Sequence, residues 1–204
     1  VIDRSVPNYF WLNPDYEPAL QTAFTACLGP GKTVADVGAH MGFDTLHFAR
    51  LVGPGGRVHA FEPDPANGRK LRRNCELNSL HQVTFYPCAV SDRRGTARFA
   101  AQGTTTSHIA AATDPATVEV QTVTLDETLA PADSVATIDL IKVDVEGFEF
   151  EVLRGSTRIL REIRPVWLIE IHSATALAQC VTLLVAARYR IKALTAGPYY
   201  PAAL

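Results

Sequence analysis

Carboxylates, an imidazole and two glycines stand where the apolar runs of this chain end. The run Thr33–Val37 contains Asp36 and gives way to Gly38 and Gly42. Arg57–Phe61 gives way to Glu62, and Ile138–Val143 to Asp144 and Glu146. Val166–Ile171 carries Glu170 and leads to His172. Each residue type suits a task. Glycine lets a backbone come close to a ligand and take φ > 0. A carboxylate such as Glu62, placed after the next strand, can accept both hydroxyl protons of a ribose. Asp36 offers negative charge to a positive centre. His172, with an unperturbed pKa near neutrality, is the first candidate to take a proton from an alcohol. Asp144 is the second candidate, and His40, in the glycine segment, the third.

The glycine spacing distinguishes two nucleoside ligands. Dinucleotide sites use G-x-G-x-x-G, with the third glycine at the helix start. Here Asp36, Gly38 and Gly42 are spaced D-x-G-x-x-x-G, with His40 between the glycines. A pyrophosphate needs a bare helix N-terminus and close backbone approach. An adenosine bearing a sulfonium and an amino acid needs a carboxylate near its positive centre. The segment therefore favours S-adenosylmethionine over NAD.

Hydrophobic periodicity gives the elements that must position these residues. Pro18–Leu28 reads as a helix with Leu20, Ala23, Phe24 and Leu28 on one face, closed by glycines 29 and 31. Strands over 33–37, 57–61 and 83–88 alternate with helices over about 43–52 and 66–78, and Pro65 suits a first helical turn. This β-α-β-α-β order requires right-handed crossovers and a parallel sheet. The middle differs. Gly95–Ala101 and Thr117–Leu125 read as strands of an antiparallel insertion over about 92–126, and Gly103–Pro115 as a mobile loop that covers the acceptor. Parallel order resumes with a fourth strand over 138–144, a helix over 148–160, a fifth strand over 166–171, a helix over 174–187 and a sixth strand over 189–194. The expected layout is an N-terminal segment and helix over 1–32, packed on one α/β domain over 33–204 with helices on both sheet faces.

Composition narrows the function. The 204 residues are 47% hydrophobic, enough for one domain with a full core. A net charge of −2 leaves no broad basic face, so nucleic acid is not an expected partner. The one dense basic cluster, Arg69–Arg73, reads as a solvated helix face. No apolar stretch is long enough to span a bilayer. Cys27, Cys75, Cys88 and Cys180 are far apart and form no C-x-x-C pair, which fits reduced thiols in a cytoplasmic protein. The chain opens on Val1 rather than Met, so an upstream segment stays open. The expected partner is a small molecule carrying a hydroxyl, and the oligomeric state is not legible.

The block Lys142–Glu149, of pattern K-x-D-x-E-G-x-E, carries a family resemblance. Together with Asp36–Gly42, Phe61–Pro63 and Thr124–Asp126 it resembles the FkbM-type methyltransferases. These are S-adenosylmethionine-dependent O-methyltransferases of the Rossmann-like class I kind. The resemblance spans roughly Thr33 to His172. It implies a mostly parallel sheet of order 3-2-1-4-5-7-6 with strand seven antiparallel. Little chain follows Leu194, so that strand is truncated or replaced by the Pro-Tyr-Tyr-Pro tail. By position, the resemblance places Gly38 and Gly42 near the methionine part of the cofactor. It sets Asp36 toward the sulfonium and amino group, and Glu62 on the ribose diol. Cys88, Ala89 and Val90 flank adenine, and Asp92 reaches its exocyclic amine. Asp144 lies beside the methionine amine and the transferred methyl. Glu146 takes a site role, while Glu149 stays open between the site and a helix N-terminus that favours acidic side chains. Lys142, inside a strand, reads as structural, reaching a carboxylate or snorkelling.

Methyl transfer is an in-line displacement, and much of its catalysis comes from positioning. Asp144, Glu146, Glu170 and His172 also have the donor types for Mg²⁺ or Mn²⁺. Nothing in their spacing requires a metal, and a metal-free site is the preferred reading. The rival enzyme is an NAD-dependent oxidoreductase of similar fold, disfavoured by the glycine spacing. A non-catalytic cofactor-binding domain is the other rival, and the intact polar strand ends argue against it.

Overall fold

A computed structural model describes residues 17–100, 108–109, 117–131 and 137–194. The chain begins with α1 (Pro18–Cys27), β1 (Thr33–Val37), α2 (Phe43–Val52), β2 (Arg57–Phe61), α3 (Pro65–Leu77) and β3 (Val83–Tyr86). The middle holds β4 (Ala89–Val90), β5 (Gly95–Ala100), β6 (His108–Ile109), β7 (Val118–Val123) and α4 (Leu125–Leu129). It ends with β8 (Leu140–Val143), α5 (Glu149–Arg154), β9 (Val166–Ile169) and α6 (Ala174–Ala186).

The sequence pattern expects a parallel α/β sheet, and one forms in the order β3-β2-β1-β8-β9. Counting only these strands, that is 3-2-1-4-5. All four pairings are parallel. The order reverses between β1 and β8, which places a crevice at their carboxyl ends. Every residue of β1 and β8 is buried. Strands covered on both faces read as continuous apolar runs, and the two charged exceptions, Asp36 and Lys142, are register partners.

Side-chain alternation divides the core between the two faces. Ala35, Val37, Ile141 and Val143 pack on one side with Leu125, Val152 and Ile159. Val34, Val58 and Leu140 pack on the other with Phe24, Phe48, Ala49 and Val52. Phe24 of α1 is fully buried and meets Phe48 edge-on with centroids 4.6 Å apart, so the first helix is seated on the core.

The antiparallel insertion is also present. β5 and β7 pair antiparallel from Gly95↔Thr122 to Phe99↔Val118, within a second sheet of order β4-β7-β5-β6. Apart from β6, the Gly103–Pro115 segment lies outside the described residues.

Several strands are one to two residues shorter at an end than the sequence pattern expects, and three departures are larger or have a clear local cause. The strand expected over 117–125 stops at Val123, because the Thr124 hydroxyl accepts the Glu127 N–H at 3.1 Å and starts α4. The helix expected over 148–160 is interrupted. Gly155 passes so close to the Ser91 carbonyl that a Cβ there would lie 2.1 Å from its oxygen. The Asp126 carboxylate then accepts the N–H groups of Arg158 and Ile159 at 2.8 and 2.9 Å, and a wide π-type turn covers Ile159–Ile163. The sixth strand, expected over 189–194, does not form. Tyr189 is held by the Trp167 indole N–H at 3.3 Å and lies under Arg164, but residues 190–194 are exposed with no strand beside them. Strands six and seven are therefore absent among the described residues. No helix among those residues is long and apolar enough to cross a membrane.

Candidate active site

The turn after β1 admits backbone only. Gly38 has φ 83°, and a Cβ there would lie 1.8 Å from the Asp144 carbonyl oxygen. His40 and Gly42 also take positive φ, at 51° and 91°. The Gly42 N–H returns to the Ala39 carbonyl at 2.8 Å, and α2 starts directly after it. The end of β2 locks onto this turn. Glu62 Oε2 accepts the His40 N–H at 2.8 Å, and Oε1 accepts the Asp64 N–H at 2.7 Å. Burial pushes the Glu62 carboxyl up to about 7, against the opposing pull of those two backbone donors.

Below the turn lies a buried charge cluster. Lys142 Nζ is 3.3 Å from both Asp44 Oδ2 and Asp144 Oδ2, and 3.7 Å from Asp36 Oδ1. Burial alone lowers the Lys142 pKa, but the three carboxylates reverse this and hold it well above the usual range. Asp36 is completely buried and accepts the Thr45 hydroxyl at 2.5 Å. Burial lifts its pKa to about 6, although Lys142 opposes the shift.

A cavity of about 370 Å³ opens at the carboxyl ends of β1, β2, β8 and β9. Of the residues expected to bind cofactor, Gly38, Glu62, Ala89, Asp144 and Glu146 line it, together with Cys88 and Val90. Three do not. Asp36 points into the Lys142–Thr45 cluster because its β1 register places it beside Lys142. Gly42 faces Leu71 of α3, where a Cβ would meet Leu71 Cγ at 3.1 Å. Asp92 turns to Arg154, 3.2 Å away. Asp44 and Lys142, by contrast, do line the cavity. Sequence reasoning missed Asp44. Its position in the first turn of α2, just after the glycine turn, was the available signal, but its link to Lys142 required the β1–β8 pairing.

His172 is hydrogen-bonded at Nδ1 and faces acids at Nε2. Nδ1 lies 2.7 Å from Glu149 Oε1. Nε2 lies 3.6 Å from Asp144 Oδ1, 3.7 Å from Glu146 Oε2 and 3.9 Å from Glu170 Oε1. Those last three acids line the cavity; His172, the expected base, is not among the lining residues and approaches the cavity only through them. The Glu149 hydrogen bond, reinforced by Glu146 and Asp144, lifts His172 to about 9 against the effect of burial. Burial, with Asp144 nearby, pushes Glu170 up to about 7. His40 has the opposite character: burial lowers its pKa to about 4, so it is neutral. Ligand atoms of Asp144, Glu170 and His172 lie within 4.8 Å of one another, close enough to share a cation. With His172 protonated, the imidazolium supplies that positive charge.

These residues fit a cationic nucleoside. Gly38 presents backbone to the cavity, packed against the Asp144 carbonyl too closely for any side chain. Both Glu62 oxygens retain lone pairs after accepting one N–H each. Asp44 Oδ1 is buried without a hydrogen-bond partner among the described residues. A ligand bearing a diol and a positive charge would satisfy these acceptors.

A family model described as methyltransferase FkbM domain matches residues 36–191. Methyltransferase 1 of Beauveria bassiana (strain ARSEF 2860) is 29% identical over 145 residues, covering 60% of this chain and 57% of that protein. The 31-O-demethyl-FK506 methyltransferase FkbM of Streptomyces tacrolimicus is 47% identical over 73 residues, covering 35% of this chain and 26% of that protein. Methyltransferase FkbM from Methylobacillus flagellatus KT shares the fold, with a TM-score of 0.54 at 24% identity over 77% of this chain and 37% of that one. The chain thus spans less than two thirds of the length of each of these proteins.

Proposed function

The chain belongs to the FkbM methyltransferase family, and we propose that it is an S-adenosylmethionine-dependent O-methyltransferase acting on a hydroxyl of a small metabolite or sugar. One observation carries this reading: Gly38, Glu62 and Asp144, from three different strand ends, converge on one cavity. The O-methyl assignment draws on the name of the Streptomyces tacrolimicus relative, a 31-O-demethyl-FK506 methyltransferase.

The proposed roles follow from placement. Glu62 holds the ribose diol, and the Gly38 backbone borders the methionine end. Cys88, Ala89 and Val90 border adenine. Asp144, Asp44 and Glu146 face the cationic end of the ligand, and Asp36 acts one layer below by holding Lys142. Gly42 and Asp92 shape the turn and the α5 contact rather than touching ligand. When bound, S-adenosylmethionine supplies the methyl group on a positively charged sulfur. The acidic cavity end favours that charge, and the 3.6 Å approach of His172 Nε2 to Asp144 supports assigning these two the acceptor's proton. Catalytic groups at a site of this kind tighten when both ligands are present, so the 3.6 Å spacing in the free protein is compatible with the role.

Calorimetry tests the cofactor. S-adenosylmethionine and S-adenosylhomocysteine are expected to bind and NAD to give no heat. Binding of NAD with no response to either sulfur nucleoside would reverse the assignment. Methyl transfer to a panel of sugars and small alcohols then separates an enzyme from a non-catalytic binding domain.

A further inference from the structure

Glu149 is buried yet charged in type, and the methyl-transfer reading above does not use it. Its side chain is fully inaccessible at the first turn of α5. Oε1 accepts the Gly147 N–H at 2.8 Å and lies 2.7 Å from His172 Nδ1, a residue 23 positions away beyond β9. Oε2 is buried without a hydrogen-bond partner among the described residues. A helix cap alone would need only the Gly147 bond and could stay in solvent. Burying a carboxylate is costly unless it is paired, so its placement against an imidazole on another element calls for a second function.

We propose that Glu149 is the positioning residue for His172: it binds the Nδ1 proton and turns Nε2 toward the reacting hydroxyl. This inference rests on the methyltransferase reading. It is built from two fixed points. The Gly147 bond, after the positive-φ pair Glu146 (53°) and Gly147 (100°), fixes Glu149. Once the ring is neutral, Glu149 fixes its tautomer, because a neutral ring whose Nδ1 carries the shared proton has its lone pair on Nε2. In the transfer step the acceptor O–H bond breaks and its proton goes to Nε2. The acceptor oxygen bonds the methyl carbon, and the electron pair of the broken S–C bond stays on sulfur. The resulting imidazolium is held by Glu149 on one side. On the other side are Asp144 and Glu146, with Glu170 at the rim and Lys142 behind Asp144 at 3.3 Å.

The test is Glu149→Gln, which keeps the shape and removes the charge. The imidazole of His172 is followed by ¹⁵N NMR across pH, with and without S-adenosylhomocysteine. Turnover is followed with whichever hydroxyl acceptor of the panel the wild-type protein methylates. The expected result is a His172 titration midpoint lowered by about one pH unit or more. The acid limb of the turnover profile should move by the same amount, turnover should drop roughly 10-fold or more, and S-adenosylhomocysteine affinity should be unchanged. An unchanged midpoint and profile in the folded variant overturns the proposal and leaves Glu149 a helix cap. If Glu149→Gln does not fold, Glu149→Asp retains charge but shortens the reach, and the same two readouts decide. If the wild-type protein methylates nothing, the methyl-transfer reading fails, while the NMR midpoint still reports whether Glu149 controls His172.

Discussion

The backbone N–H of His40 donates to Glu62 Oε2 at 2.8 Å, latching the glycine turn after β1 to the end of β2. One carboxylate therefore holds this turn in place and also lines the cavity. Glu62→Ala is expected to weaken S-adenosylhomocysteine binding by about one to two orders of magnitude: hydrogen bonds to a charged group contribute roughly 1.5–3 kcal/mol each, and water replacing the carboxylate returns part of that loss. The core of the sheet does not depend on Glu62, so circular dichroism should show an intact fold. Unchanged affinity in calorimetry would remove Glu62 from the ribose site.

The same burial makes affinity and stability depend on pH in opposite senses. Glu62, lifted to about 7, and Asp36, lifted to about 6, are acids raised above their usual values. Their ionisation costs folding stability as pH climbs from the unfolded pKa to the folded one. His172, raised to about 9, contributes stability that is complete below its unfolded pKa and lost as pH rises through the folded value. All three shifts lower the melting temperature between about pH 5 and pH 9. Cofactor binding runs the other way around Glu62, because the ionised form is the better acceptor for the diol. S-adenosylhomocysteine affinity should rise from about pH 6 to pH 8, with protons released on binding. A flat affinity profile, or a melting temperature that rises over this range, would contradict the assignment.

The sequence revealed those parts of the fold that local pattern controls. The runs at β1 and β8 were readable because strands buried on both faces lose their polar alternation, and those at β2, β3 and β9 because short β-branched and aromatic runs are flanked by turn residues. Gly38 and Glu62 were readable because they sit at strand ends, where turn chemistry and ligand chemistry coincide. Asp36 and Asp92 have similar local signatures but face inward and toward Arg154. Only the register of β1 on β8 and the packing of α5 determine those directions. The break at Gly155 depends on Ser91, far off in sequence, and the contact of Glu149 with His172 likewise requires the chain to fold before it exists.

Lys142 balances Asp36 of β1, Asp44 of α2 and Asp144 just after β8 in a buried position. Lys142→Met leaves that negative charge uncompensated. Removing one partner of a buried ion pair typically costs about 3–5 kcal/mol, so thermal melting should show a large loss of stability. Low pH should recover part of it by protonating Asp36. A variant as stable as the parent would mean that water reaches the cluster.

Metal removal separates two uses of the same side chains. His172 as an imidazolium already supplies positive charge to Asp144, Glu146 and Glu170. Methyl transfer is therefore expected to survive exhaustive treatment with a chelator, with turnover within about twofold of the untreated protein. Loss of activity that Mg²⁺ or Mn²⁺ restores would instead make Asp144, Glu170 and His172 ligands.

His172 is expected to be the base, and its environment sets when it can act. Held at about 9 by Glu149 and its acidic neighbours, it is protonated near neutrality in the free protein. A cationic nucleoside beside Asp144 weakens the negative field and releases part of that hold. Turnover should therefore rise with pH on a limb lying between an ordinary histidine value and about 9, rather than levelling at neutrality. His172→Ala should lower turnover by roughly 10²–10⁴ and flatten that limb. S-adenosylhomocysteine affinity should change little, since Glu62 and the Gly38 turn are untouched. If the variant keeps near-normal turnover with the limb intact, proton removal belongs to Asp144 or to water, and the imidazole serves only to balance charge.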